Sequence, residues 1–202
     1  MRVRGFARAG LIGLLIVSAC LALAWGPASR VQRALAEAAM EQIKEHVVYD
    51  GSYRQIEYPD GDVPRNRGVC ADVVIRAYRE LGVDLQVLVH EDMRDNFRKY
   101  PNLWGLTAPD TNIDHRRVPN LATFFARNGE KLRVTDDGLD YLPGDLVTFT
   151  VAGSLPHIGI VSTELTPDGK RPMMVHNIGE GPKLEDMLFS YPITGHYRYP
   201  AS

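Results

Sequence analysis

One cysteine, a few histidines and an asparagine carry the chemistry open to this sequence. Cys70 stands in RGVCADVVIRAYRELG, Arg67 to Gly82, where an amphipathic helix begins. Cys70, Val73, Val74, Ala77 and Leu81 recur at helical spacing, so the thiol belongs to the core-facing side of that helix. The first turn of a helix offers free backbone N–H groups and the positive end of the macrodipole. Both favour a thiolate, the nucleophilic form of cysteine. Gly68, just ahead, permits close approach of another backbone or of a substrate. The other cysteine, Cys20, lies in the N-terminal segment. An exported, processed chain would therefore hold a single thiol with no internal disulfide partner. A buried cysteine acting as a small hydrophobe is the alternative.

A thiol nucleophile needs a group that takes its proton and returns it. His157 opens the strand-like run HIGIV, on the same face as Gly159 and Val161 and opposite Ile158 and Ile160. At a strand end, beside a glycine, it can face a helix N-terminus set against that strand. A third group should orient the imidazole, and MMVHN offers His176 and Asn177. Consecutive strand residues face opposite ways, so one of them serves. Either can accept a hydrogen bond, and the chemistry leaves both open.

Other residues bear on binding. Arg116 and Arg117 in NIDHRRVPN have the fork that matches a carboxylate, or else they pair with Asp110 or Asp114. Trp104 either lines a groove or joins Phe97, Phe124 and Phe125 in the core. There is no HExxH and no CxxC, so neither a catalytic metal nor another cofactor is expected, although His90, Glu91, Asp92 and His115 are ligand types. His196 in GHYR is expected to face the sheet or solvent.

These residues need elements to hold them. Ser29 is a candidate cap for a helix through RVQRALAEAAMEQIKEHVV. YDGSYRQIEYPDGDVPRNRG reads as loop, with a short extended piece around Tyr53 to Tyr58. The Cys70 helix stops near Gly82. LQVLVHEDMRDNF forms a third helix, and NLATFFARNG a fourth with Asn120 as its cap. The period then changes to alternation in YLPGDLVTFTV, PHIGIVS, PMMVHNIG and ITGHYRY, four strands in succession. Helices first and strands last predict an α+β domain, with N-terminal helices packed on a C-terminal, mainly antiparallel sheet. The 202-residue sequence is 45% apolar, and 29–202 can build one core as a single domain.

Residues 1–28 read differently. Arg2, Arg4 and Arg8 precede an uncharged apolar run from Ala9 to Trp25, then small residues at Gly26 and Ala28. That is the build of a secretory signal cleaved after Ala28 or Ala24. A retained anchor, which needs about 20 apolar residues, and a lipobox at VSAC ending on Cys20 are the other readings. All three export the remainder to the periplasm or cell envelope, with membrane contact only through an N-terminal anchor.

GVCADVVIRAYRELGVDL, PGDLVTFTVAGSLPHIGIVS and MMVHNIG together resemble the NlpC family of cell-wall cysteine peptidases in the papain-like superfamily. The resemblance implies an NlpC-like fold, Cys70 as nucleophile, His157 as base and a third polar residue on the next strand. It also implies a tyrosine about a dozen residues before the cysteine, the place of Tyr58. The family usually has Asp-Cys-Ser-Gly, where this chain has Val69-Cys70-Ala71-Asp72. Asp72 either complements the helix N-terminus or raises the thiol pKa. GVCADVVIRAYRELGVDLQ, NIDHRRVPNL, HIGIVS, HNIG and GHYR resemble more closely still the YijF-like family of exported bacterial proteins of unknown function.

The expected activity is that of an exported cysteine hydrolase. The resemblance implies amide bonds of peptidoglycan stem peptides as substrate, or another envelope amide or acyl group. A thioesterase or acyltransferase, and a non-catalytic envelope-binding module, are the rival readings. The formal charge is −2, with no basic block or aromatic-basic stripe, so nucleic acid is not expected as a partner. A monomer is expected.

Overall fold

The structure is a computed structural model that describes residues 28–200. The segment read as signal, anchor or lipobox, up to Pro27, lies outside the described residues. Among them no helix is long and apolar enough to cross a membrane.

Helix α1 spans Arg30–Glu41, and Ser29 Oγ caps it by accepting from Gln32 N–H at 3.4 Å. It tightens into a 3-10 turn at Gln42–Lys44 and ends there, short of the expected Val48. Val48–Tyr49 instead forms strand β1, which pairs in parallel with β2, Arg67–Gly68. Helix α2 is Cys70–Glu80, and α3 is Leu85–Asn96 with Asp84 as cap. Helix α4 is Val118–Asn128 and begins before the expected cap. Pro119 sits in its first turn, where a missing N–H leaves no bond unmade. Asn120 instead donates its Nδ2 to the Asp114 carbonyl at 3.1 Å.

Six strands follow: β3 Glu130–Leu132, β4 Leu146–Val151, β5 Leu155–Leu165, β6 Pro172–His176, β7 Lys183–Glu185 and β8 Ile193–Arg198. They form one sheet in the order β3-β8-β4-β5-β6-β7, and every pairing in it is antiparallel. The class is therefore α+β, as the run of helices before strands predicts. The short edge strands β3 and β7 and the β1–β2 pair are additions to the four strands read from alternation.

Alternation assigns the two faces of the sheet. Leu146, Ile158, Ile160, Val175 and Tyr197 meet Leu35, Val73, Val74, Leu121 and Phe125 of the helices. On the other face Val147, Phe149, Val161 and Met174 pack under Tyr141, Met187 and Leu188. Burying a side chain such as Leu35 or Ile158, each fully enclosed, contributes about 1.5–3 kcal/mol. Because both faces are covered, β4 reads as a nearly continuous apolar run.

Candidate active site

The lead into α2 is built around a buried carboxylate. Val69, at the N-cap, has no side-chain oxygen to offer. Asp72 reaches back instead and accepts from the Val69 N–H at 2.6 Å. Gly68 makes this reach feasible, because a Cβ there would stand 3.1 Å from Asp72 Oδ2. Arg116 then clamps Asp72 bidentately, with Nε and Nη2 at 2.8 and 2.9 Å from the two carboxylate oxygens. The remaining Arg116 donors reach the carbonyls of Asp50 and Ser52. Arg116 is thus a buried structural cation, engaged by Asp72 rather than by Asp110 or Asp114, and its fork is not open to a substrate carboxylate. Asp72 serves the helix N-terminus and carries a matching counter-ion.

Two further contacts fix the thiol's approach. The Gly68 carbonyl accepts from the Asp50 N–H at 3.1 Å and from Asn177 Nδ2 at 3.4 Å. Asn177 Oδ1 in turn accepts from the Gly179 N–H. Asn177 therefore ties the end of β6 to the strand before Cys70 and does not touch His157.

Cys70 itself is 4% exposed. Its sulfur lies against the backbone N–H of Ile158 and those of Ala71 and Cys70 in the first helical turn. Burial pushes the thiol up to about 11, those N–H groups pull against it, and the Asp72 charge adds to the rise. The helix N-terminus acts in the expected direction, but desolvation outweighs it.

His157 is 2% exposed and pairs across the sheet with Phe149. Helices α1 and α2 lie on the Ile158–Ile160 side, the opposite one from His157, which corrects the expectation that its own face meets the helix. The thiol instead meets β5 near its start. Pro156 shares the groove with Cys70, and the Ile158 N–H reaches the sulfur, so the two neighbours of His157 both border the thiol.

His157 Nε2 is 3.1 Å from His176 Nδ1, and His176 Nε2 is 3.0 Å from Glu185 Oε2. Three adjacent strands supply this chain. Gly159 makes room for it, because a Cβ there would lie 3.2 Å from Met174 Cε and 3.3 Å from His176 Cβ. Between the two candidates for orienting group, His176 contacts the imidazole. Burial first, and then His176, push His157 down to about 3. The resting pair is therefore a neutral thiol and a neutral imidazole.

An open groove of about 430 Å³ borders Cys70, walled by Tyr49, Tyr53, Val69, Trp104, Arg117 and Pro156. Trp104 is 41% exposed and stacks under the Arg117 guanidinium, 4.0 Å from the ring centre. Arg117 also donates to Asp114 Oδ1 at 3.0 Å. Burial, then the nearby Cys70 and Asp72, raise the Tyr49 phenol, so Tyr49 is the tyrosine beside the thiol. Tyr58 lies elsewhere, edge-on to His90 of α3 at 5.3 Å, and does not line the groove. Its separation from Cys70 along the sequence is correct, but the chain between them loops away. Phe124 and Phe125 are core residues. His196 is buried between Asp145 and the Arg133 carbonyl and stacks on Tyr141. Among the described residues no three His, Cys, Asp or Glu side chains cluster closely enough to hold a metal.

Sequence reading missed Glu185 and Tyr49. Glu185 lies in a three-residue strand too short for a periodic signal. Tyr49 reaches the site only through the non-local β1–β2 pair.

The model of a family described as a domain of unknown function, DUF1287, matches residues 36–199. The uncharacterized protein YijF of Escherichia coli (strain K12) is 51% identical over 166 residues, which cover 82% of this chain and 80% of that protein. The chain, with its thiol helix and histidine strands, belongs to the DUF1287 family.

Proposed function

We propose that the chain is an exported cysteine hydrolase of the papain-like, NlpC type that cleaves amide bonds. The observation that carries this reading is one strand end where two systems meet. A thiol ringed by backbone N–H groups borders Pro156 and Ile158, and His157 between them begins a His–His–Glu chain.

The reaction starts from the neutral pair. His157 uses Nε2 on His176, which leaves Nδ1 for the thiol proton. Sulfur attacks the carbonyl carbon as Nδ1 takes that proton, a step that requires His157, which rests on the opposite face of β5 from the Cys70 helix, to turn its imidazole to the sulfur. The oxyanion of the tetrahedral intermediate is held by the Cys70 and Ala71 N–H groups. Each such donor is typically worth about 3–4 kcal/mol. His157 delivers the proton to the leaving nitrogen, the C–N bond breaks and a thioester remains. Water, deprotonated by His157, then releases the acid and restores the thiol. Trp104 and Tyr49 line the substrate path, and Arg117 at the groove wall meets a peptide carboxylate.

The N-terminal segment and the NlpC resemblance support peptidoglycan stem peptides as substrate and the periplasm or envelope as compartment. The test is digestion of purified peptidoglycan by wild type and Cys70→Ala, read by mass spectrometry of the muropeptides. Products present only with wild type are expected, and identical profiles would sink this substrate. The aromatic groove also suits an acyl chain, so a thioester panel run beside it separates a thioesterase from an amidase.

The burial of Cys70 and its raised pKa favour a second reading, a binding module that has kept the fold. Iodoacetamide labelling across pH separates the two. Reactivity near neutral pH that is lost in His157→Ala supports the enzyme. Reactivity only above about pH 10, the same in both proteins, supports the binding module.

A further inference from the structure

The end of the histidine chain determines where its protons sit. An ionised carboxylate only accepts hydrogen bonds. Glu185 Oε2 stands 3.0 Å from His176 Nε2, so that nitrogen carries a hydrogen. A neutral imidazole has one N–H, and His176 Nδ1 is then a bare lone pair. It faces His157 Nε2 at 3.1 Å, which must therefore be the donor. His157 Nδ1 is left unprotonated. The opposite assignment would keep a His176-to-His157 hydrogen bond but would set the His176 Nε2 lone pair against the carboxylate, so the Glu185 contact alone decides between the two.

We propose that Glu185 is a positioning residue of the site: its contact with His176 sets the tautomers of both rings and leaves the free lone pair on His157 Nδ1. The tautomers follow from hydrogen bonding alone, and their use against Cys70 rests on the hydrolase reading above. Glu185 comes from β7, two residues beyond Lys183, which pairs opposite His176, and so it stands on the same face of the sheet. Its side chain is 44% exposed, whereas that of His176 is 2% exposed. Glu185 and His176 line a cleft of about 470 Å³ with Met173, Ile178 and Tyr191, and this cleft shares no residue with the Cys70 groove. The chain of rings therefore begins in an opening separate from the Cys70 groove and ends at His157, which is buried and lines neither. The charged groups beside it are Glu185 and Lys183, with Lys183 paired to Glu180.

The test uses the full chain labelled with 15N in histidine, and long-range 1H–15N correlation at pH 7. His157 and His176 are assigned by their loss in His157→Gln and His176→Gln. Both rings are expected as Nε2–H tautomers. Glu185→Leu removes the acceptor and should mix the His176 tautomers, while Glu185→Gln keeps an acceptor oxygen and should preserve them. Alkylation of Cys70 should slow at least about tenfold in Glu185→Leu and stay within about threefold in Glu185→Gln, inside the range of general acid–base contributions. A wild-type Nδ1–H tautomer on either ring overturns the proposal. So does a Glu185→Leu spectrum identical to wild type. Tautomers that respond as expected while alkylation and hydrolysis respond to no variant would overturn the hydrolase reading and leave the role of Glu185 toward the rings standing.

Discussion

The Asp72–Arg116 pair gives the sharpest test of how this site is held. Its two side chains are 1% and 2% exposed and joined by two hydrogen bonds of 2.8 and 2.9 Å. Arg116→Met keeps most of the stem volume and removes the charge, leaving a buried carboxylate with one backbone N–H as its remaining support. Stranding one member of such a pair costs about 3–5 kcal/mol. With a urea slope of about 2 kcal/mol per molar, the unfolding midpoint should fall by about 2 M. Asp72→Asn should cost a similar amount, because it strands the guanidinium instead. The double variant Asp72→Asn/Arg116→Met strands neither charge and should recover a good part of the loss, giving a coupling free energy of about 1–3 kcal/mol. A second readout is chemical. The Asp72 charge raises the thiol, so Arg116→Met should slow alkylation of Cys70 below pH 9 in the population that stays folded. Single variants that cost less than about 1 kcal/mol, or strictly additive losses in the double variant, would refute the view that Arg116 is the dedicated counter-ion of the Cys70 helix.

Three other outcomes are expected. His157 is held down to about 3 from an ordinary 6.5, so the unfolded chain binds its proton more readily. The stability this gives is complete above about pH 6.5 and is lost as pH falls toward 3, by up to about 5 kcal/mol. Urea midpoints at pH 7, 5 and 4 should fall less steeply in His157→Gln, and parallel slopes would contradict the assignment. Gly159→Ala should destabilise by about 1–3 kcal/mol and displace His176, because the new methyl meets both Met174 and His176 Cβ. It is read by denaturation together with the histidine spectra, and an unshifted His176 signal counts against it. Tyr58→Phe should leave Cys70 alkylation unchanged, whereas Tyr49→Ala opens the groove wall and should change its rate. The reverse pattern would restore Tyr58 to the site.

What the sequence revealed and what it hid divide along physical lines. The thiol helix was legible because Val73, Val74 and Ala77 recur at helical spacing from Cys70, and all are buried. The four longer strands were legible from alternation and from the turns between them. The same alternation sends His176 and Asn177 to opposite sides, but only the pairing of β5 with β6 assigns each a partner. Asn177 meets Gly68, and His176 meets His157. The pairing of Arg116 with Asp72 spans 44 residues, and no local pattern encodes it. Nor does local pattern encode which face of β5 receives the helices, since Ile158 and Ile160 on one side and Phe149 with Val161 on the other are equally apolar. Thiol chemistry inferred from position alone also missed the weight of burial, which depends on everything packed around the sulfur.

The Gly68 carbonyl, shared between Asp50 and Asn177, has a consequence for assembly during synthesis. Cys70 lies in the first half of the chain, but its lead-in is anchored from the end of β6, and the acceptor of the histidine chain arrives with β7. Emergence from the ribosome therefore delivers the thiol long before the groups that position it. A nascent or truncated chain ending before Lys183 carries the cysteine without a completed site, so maturation of the centre is coupled to completion of the C-terminal sheet.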